Sequence, residues 1–516
     1  MSKQPYYITT PIYYVNDKPH IGHAYTSLAC DIAARFKRLD GFQVKFLTGT
    51  DEHGQKVEKS AKSAGIDPQS FTDKVSAHFR DLTKVMGFSE DDFIRTTEKR
   101  HKISAQSFWN KLLDNGYIYK DKYAGWYAIR DEAYYAEDEL VEGKAPTGAE
   151  VEWMEEESYF FKLSAFQDKL LEYYKNNPDF IAPKSRSNEV ISFVRGGKKY
   201  ESGALKDLSI SRTSFAWGVP VPDDDKHIMY VWLDALTNYL SAIGYPDEDS
   251  SEFKDYWPCS VHVVGKDILR FHAVYWPAFL MAAELPMPER VFAHGWWTNE
   301  GEKISKSLGN VIDPVELVNE FGLDQVRFFL MRQVQFGNDG NFSKLELVRR
   351  CNSDLANNYG NLAQRVLSMI KKNCNAVIPK YELESKEDQE LLNQAYELIN
   401  KLRNAIDKQN FSAYIEDVIN LAAEANEYID KQAPWTLRKE NPERMSSVLY
   451  VLAETIRIIS LYMLPVMPDS AGKILDQLNI PQTERDFLKV TKEYSLKEGV
   501  SLPDPQGIFP RIEEAS

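Results

Sequence analysis

The chain has 516 residues, 43% of them hydrophobic and 12% aromatic, with a formal net charge of −15. That length exceeds what one hydrophobic core supports and predicts about three domains, while the acidic balance excludes a uniformly basic nucleic-acid coat but not a local basic face. No apolar run reaches the ~20 residues of a membrane-spanning helix, and neither a signal peptide nor an arginine-rich transit segment opens the chain, so a cytoplasmic protein with no membrane partner is expected.

Tyr6-Tyr7-Ile8-Thr9-Thr10 reads as a buried strand, followed by a turn region from Pro11 to Pro19 with Asn16-Asp17 at its tip. His20-Ile21-Gly22-His23 then opens an amphipathic helix that runs from Ala24 to Leu39 and stops at Asp40-Gly41. A helix start offers free backbone N–H groups and a positive dipole end, which suit a phosphate. Gly22 leaves room for a flat group such as an adenine ring, and His20 and His23 can each donate to phosphate oxygens. Taken alone, two histidines and a glycine in such a place also arise by chance. Val44-Lys45-Phe46-Leu47-Thr48 is a second strand, ending in Gly49-Thr50-Asp51-Glu52-His53-Gly54. Ligands of open α/β sheets bind at the carboxyl ends of strands, so Asp51 either holds an ammonium group or caps a helix. There is no G-x-G-x-x-G, so no dinucleotide cofactor is implied.

Residues 116–229 differ in pattern. Tyr117–Lys120 and Tyr123–Tyr127 read as hairpin material, Ser158–Leu163 as a strand and Phe166–Tyr174 as a helix; Arg212–Pro220 leads back to the first domain. The α/β pattern resumes from Met229. Tyr230–Tyr239 carries an apolar aromatic face, and Val261-His262-Val263-Val264 is a strand ending in Gly265-Lys266-Asp267. A helix from Ile268 to Phe279 bears His272 and Trp276, which at i and i+4 share a face. After the strand Val291–Gly295 comes Gly301-Glu302-Lys303-Ile304-Ser305-Lys306-Ser307-Leu308-Gly309-Asn310. This is a polar loop whose lysines are either solvated or able to close on phosphates as mobile point charges. From residue 345 the spacing of Leu355, Leu362, Val366 and Ile370, with helices at Asp388–Lys408, Ile415–Asp430 and Met445–Met463, predicts an antiparallel helical bundle.

The stretches His20–His23 and Lys303–Ser307, in this order, resemble the HIGH and KMSKS signatures of class I aminoacyl-tRNA synthetases; the second reads KISKS here. The resemblance covers nearly the whole chain and lies within the methionyl-tRNA synthetase family, through Pro11–Asn16, Gly49–Gly54, Val231–Ala235 and Gly265–Asp267. It implies an α/β, Rossmann-like parallel-sheet catalytic domain in two halves (1–115 and 230–290) around a connective α+β insertion (116–229). A stem-contact region with the KISKS loop (291–344) and an all-α anticodon-binding bundle (345–516) would follow.

The family's reaction would join L-methionine to tRNA(Met) through a methionyl-adenylate made from ATP, with Mg²⁺ arriving on the ATP. By the same resemblance, His20, His23, Lys303 and Lys306 would be catalytic. ATP would be bound by His20, Gly22, His23, Gly265, Asp267, Lys303, Ser305, Lys306 and Ser307. Methionine would lie among Ile12, Tyr14, Asp51, Trp232, Ala235, Leu236, Tyr239, His272 and Trp276. A thioether is long and polarisable and favours aromatic neighbours, although an aromatic stripe of this kind also serves as plain core. Gly360–Arg365 and Ala433-Pro434-Trp435 match the family's anticodon motifs, so Asn361 and Arg365 would read base edges while Trp435 stacks on a base or packs on its own bundle.

Many relatives carry a zinc knuckle in the insertion. The four cysteines, Cys30, Cys259, Cys351 and Cys374, form no C-x-x-C pair, so no structural zinc and no other protein metal site is expected. A monomer is expected. Two rivals stand beside this reading: a class I synthetase for another apolar amino acid, against which the short insertion counts, and a tRNA-binding protein without catalysis.

Overall fold

The computed structural model describes residues 4–15, 18–130, 133–135, 137–303 and 311–513. Its catalytic part is built on seven parallel strands. Pro5–Thr9 lies at the centre, between Gln43–Asp51 and Val261–Gly265. Val291–His294 and then Ile181–Ala182 extend the second side, while Asp92–Arg95 and Tyr13–Tyr14 pair with Gln43–Asp51. The chain therefore leaves Pro5–Thr9 towards one edge and returns at Val261–Gly265 towards the other. That reversal opens a crevice at the carboxyl ends of the central strands, where an α/β sheet takes its ligands.

The sheet is covered on both faces, as a parallel sheet requires. The helix Ile21–Leu39 packs with Ile8, Phe46 and Val261 on one side, and Val231–Ser241 and Trp276–Ala282 lie in the cluster on the other. Ile21–Leu39 ends where the sequence predicts, at Asp40, with Gly41 taking φ +89° just beyond.

The segment 116–229 is not self-contained. Its strand Ile118–Ala128 is one continuous element rather than two hairpin arms, paired with Ala133–Tyr135 and Glu152–Phe161. Ile181–Ala182 leaves the segment to join the catalytic sheet, and Phe161, Phe166, Leu170 and Val190 share the catalytic core. Hydrophobic alternation marks strands but not the sheet they join, so this sharing was not readable beforehand.

The expected helix from Ile268 to Phe279 is interrupted. A 3₁₀ turn at Lys266–Ile268 and a π turn at Phe271–Tyr275 precede the α-helix Trp276–Ala282.

The bundle contains Lys386–Asp407, Phe411–Gln432 and Pro442–Met463, each close to its expected range. Pro442–Met463 is, among the described residues, the one helix long and apolar enough to cross a membrane. It is the buried centre of the bundle and carries the internal ion pair Arg457–Glu454 at 2.6 Å.

Bundle and catalytic sheet share one continuous core. At their junction Arg327, fully buried, donates to Asp31 of Ile21–Leu39 at 2.6 Å, to the Met86 carbonyl at 3.0 Å and to the carbonyls of Pro465 and Val466 at 3.0 and 2.8 Å. Burial works against the Asp31 charge, but Arg327 and Arg35 outweigh it and hold the carboxyl below its usual range.

Candidate active site

A cavity of about 700 Å³ opens at the carboxyl ends of the central strands. Of the expected ATP and methionine residues, Ile12, Tyr14, His20, Gly22, His23, Asp51, Trp232, Ala235, Leu236, Tyr239, Gly265, Asp267 and His272 line it.

At one end stands the start of Ile21–Leu39. His20 is its N-cap: His20 Nδ1 accepts the Gly22 amide at 3.0 Å, and His23 Nδ1 accepts the His20 amide at 3.0 Å. The two rings lie 3.9 Å apart. Burial lowers the pKa of both histidines, and His20 lowers that of His23 further. Each ring is therefore neutral near pH 7, and with Nδ1 occupied as an acceptor the proton resides on Nε2. Two Nε2–H donors result, beside the positive end of a helix dipole. Gly22 makes this possible, because a Cβ there would stand 2.9 Å from His20 Cε1.

Gly265 and Asp267 sit across the cavity. A Cβ on Gly265 would come within 2.4 Å of the Asp267 carboxylate, which accepts the Trp296 indole N–H at 3.2 Å.

At the other end the wall is apolar and aromatic. The helix Val231–Ser241 supplies Trp232, Ala235, Leu236 and Tyr239. Trp232 stacks on Phe271 with ring centroids 3.4 Å apart. His272 Nδ1 lies 3.0 Å from the Ile268 carbonyl and so carries the proton; its Nε2 then accepts the Tyr239 hydroxyl at 2.7 Å. Burial lowers the His272 pKa to about 4, so this pair is neutral. Asp51 lies between the two ends, at the tip of its strand, mostly buried.

Trp276 does not line the cavity. It is fully buried one layer behind, where its indole N–H donates to His262 Nε2 at 3.3 Å and its ring packs against Tyr239. A π turn at Phe271–Tyr275 lies in this stretch, and both the His272 and the Trp276 rings nonetheless pack on Tyr239, as residues of one face do.

Sequence reasoning missed several lining residues: Tyr13, Thr26, His294 and Trp296. Tyr13 donates to the His23 carbonyl at 3.2 Å and sets its ring edge-on to His23 at 4.8 Å. Thr26 Oγ1 lies 2.7 Å from His294 Nε2. His294 ends a central strand, and the strand-end rule that singled out Asp51 would have found it.

Of the loop Lys303–Ser307, Lys303 closes the strand Glu302–Lys303; Ser305, Lys306 and Ser307 lie outside the described residues. Asn361 and Arg365, which do not line the cavity, stand one turn apart on Asn361–Asn373. The Arg365 guanidinium lies 5.7 Å from the Trp435 ring centroid and 3.0 Å from Asp430. Trp435 is 45% exposed, on a short helix begun by a left-handed turn at Ala433.

A parallel sheet with a histidine-capped helix at its crevice and a helical bundle behind it defines the class I aminoacyl-tRNA synthetase architecture. Family models agree: residues 6–152 and 147–367 match the class I tRNA synthetases (M), and residues 378–516 match the anticodon binding domain of methionyl tRNA ligase. The methionine–tRNA ligase of Rickettsia felis is 58% identical over 521 residues, covering 99% of each chain. That of Brucella suis is 54% identical, covering 100% of this chain and 99% of its own. The structure of Mycobacterium tuberculosis methionyl-tRNA synthetase in complex with methionyl-adenylate superposes with a TM-score of 0.94 at 50% identity, covering 98% of this chain and 100% of that one. The chain belongs to the methionine–tRNA ligase family.

Proposed function

We propose that the chain ligates L-methionine to tRNA(Met) in two steps within this cavity. A carboxylate oxygen of methionine attacks the α-phosphorus of ATP, the bond to the β-phosphate bridging oxygen breaks, and pyrophosphate leaves. The terminal ribose hydroxyl of the tRNA then attacks the adenylate carbonyl and AMP departs. No side-chain nucleophile is needed; rate comes from positioning and from stabilising phosphate charge.

The observation that carries this reading is the polarity of the cavity. Two neutral Nε2–H donors at a helix start suit the phosphates, and the Tyr239–His272 end suits a thioether. Asp51, between them, holds the α-ammonium, while Gly265 and Asp267 lie against the nucleoside. Ile12, Tyr14, Trp232, Ala235 and Leu236 enclose the methionine side chain, with Trp276 supporting Tyr239 from behind. Lys303 and Lys306, with Ser305 and Ser307, close on the departing pyrophosphate. Mg²⁺ enters as part of the ATP substrate. Trp435, Arg365 and Asn361 read the anticodon, and the enzyme acts as a cytoplasmic monomer without a zinc knuckle.

Amino-acid-dependent ATP–pyrophosphate exchange tests the reading. Methionine should drive exchange while leucine, isoleucine, valine and cysteine do not. Exchange with another amino acid alone would overturn the substrate, and none with any would overturn the reaction. Lys306→Ala should lower the exchange rate by ~100-fold, the typical loss for one preorganised charge contact.

A further inference from the structure

Three polar side chains from distant stretches meet behind the cavity. His53 Nδ1 lies 2.6 Å from one Asp234 carboxylate oxygen, and His101 Nε2 lies 2.7 Å from the other. All are buried, with side chains at most 4% exposed. His101 Nδ1 contacts the Ser241 hydroxyl at 3.1 Å, tying both ends of Val231–Ser241 to the helix Lys99–Asp114. The His53 ring is fixed in turn by Trp217, edge-on at 5.6 Å. Trp217 donates its indole N–H to the Glu52 carbonyl at 2.6 Å and accepts the Gly54 amide at 3.0 Å.

The placement of this cluster is informative. His53 is two residues past Asp51, at the strand tip that lines the middle of the cavity. Asp234 immediately precedes Ala235, on the helix that makes the apolar wall. Apolar packing alone tolerates sliding of a helix along a sheet edge, whereas a hydrogen-bonded carboxylate held from two sides does not. Burying a paired carboxylate adds little net stability, and what the three groups impose is geometry.

We propose that His53, Asp234 and His101 form a positioning clamp that fixes the distance between Asp51 and the Trp232–Tyr239 wall, and thereby the side-chain length the site accepts. The proposal rests on the methionine reading of the cavity. A slip of one carbon–carbon bond length, ~1.5 Å, would change which chain fits. The clamp touches no substrate, so its loss should alter amino-acid recognition and leave the nucleotide end unchanged.

The test uses ATP–pyrophosphate exchange with the full chain and three amino acids: methionine, homocysteine (lacking the methyl) and ethionine (one methylene longer). His53→Ala should raise the methionine KM by about tenfold, with the ATP KM changed less than about twofold. It should also narrow the preference in kcat/KM for methionine over both analogues. His53→Asn, which keeps a donor near the Nδ1 position, should restore most of that preference. Asp234→Asn and His101→Gln extend the series should His53→Ala fail to fold, with the larger loss of preference expected for Asp234→Asn. Methionine and ATP KM rising together, or a fall in melting temperature with an unchanged preference, would overturn the clamp. Absence of methionine-dependent exchange in the unaltered chain would overturn the functional reading itself and the clamp with it.

Discussion

His20 and His23 each give up Nδ1 to an amide of the helix start they flank, which leaves their Nε2–H groups side by side with the rings 3.9 Å apart. The pair is thus a fixed, uncharged double donor. A cationic pair this close would repel and would be costly to bury.

Gly22→Ala should disturb this donor pair while sparing the fold. The new Cβ, 2.9 Å from His20 Cε1, would push that ring off the Gly22 amide. Alanine is a better helix former than glycine, so stability should change by no more than ~1 kcal/mol. Misplacing a positioned group by ~1 Å costs ~10²-fold in rate. Pyrophosphate exchange and thermal unfolding, measured on one preparation, check this; a near-normal exchange rate would show that the His20 position does not matter.

Acid should destabilise the fold below about pH 6.5, the ordinary histidine range. His20, His23, His262, His272 and His294 all have folded pKa values lowered by burial, that of His272 to about 4. Between the folded and unfolded values the unfolded chain binds more protons. Stability is therefore complete above ~6.5 and is lost as pH falls toward 4, on the order of 3 kcal/mol from His272 alone. Melting temperature measured from pH 8 to pH 4.5 reads this directly. A flat profile would show that these histidines are charged in the folded protein.

Tyr239→Phe should weaken methionine without touching ATP. The hydroxyl donates to His272 Nε2 at 2.7 Å, and its loss leaves that buried nitrogen unpaired. The expected cost, ~1–3 kcal/mol, corresponds to a rise in methionine KM of roughly fivefold to a hundredfold. Exchange kinetics at varied methionine and varied ATP separate the two; an equal rise in both would place Tyr239 outside the amino-acid end.

Trp435→Ala should leave pyrophosphate exchange intact and reduce tRNA charging. Base–aromatic stacking contributes ~1–3 kcal/mol, so charging efficiency should fall roughly fivefold to a hundredfold. Equal losses in both assays would make Trp435 a support of the bundle.

Much of the site was legible because its residues are local in sequence. His20, Gly22 and His23 form one helix start, and Asp51 and Gly265 end predicted strands; such features follow from short-range pattern and the strand-end rule. The pairing of His53 and His101 with Asp234 was not legible, since periodicity says nothing about which buried polar groups meet across more than a hundred residues. The depth of Trp276 behind the lining was not legible, but the break in its helix was: Pro277 has no N–H to give the Ala273 carbonyl, which takes the Tyr174 hydroxyl instead, and the turn before it is π. The junction of catalytic core and bundle was equally silent, because nothing beside Arg327 in the sequence says which buried groups it will meet.

That arginine has a mechanical meaning. With Asp31, Met86, Pro465 and Val466 all gripping one guanidinium inside an unbroken core, the protein behaves at this seam as a caliper with a locked jaw. Those buried contacts join the two parts through packed core rather than through a bare linker. On the function proposed above, an RNA that touched both Trp435 and the histidine-capped crevice would have to supply the bending itself, so its stiffness and length would enter into what is selected.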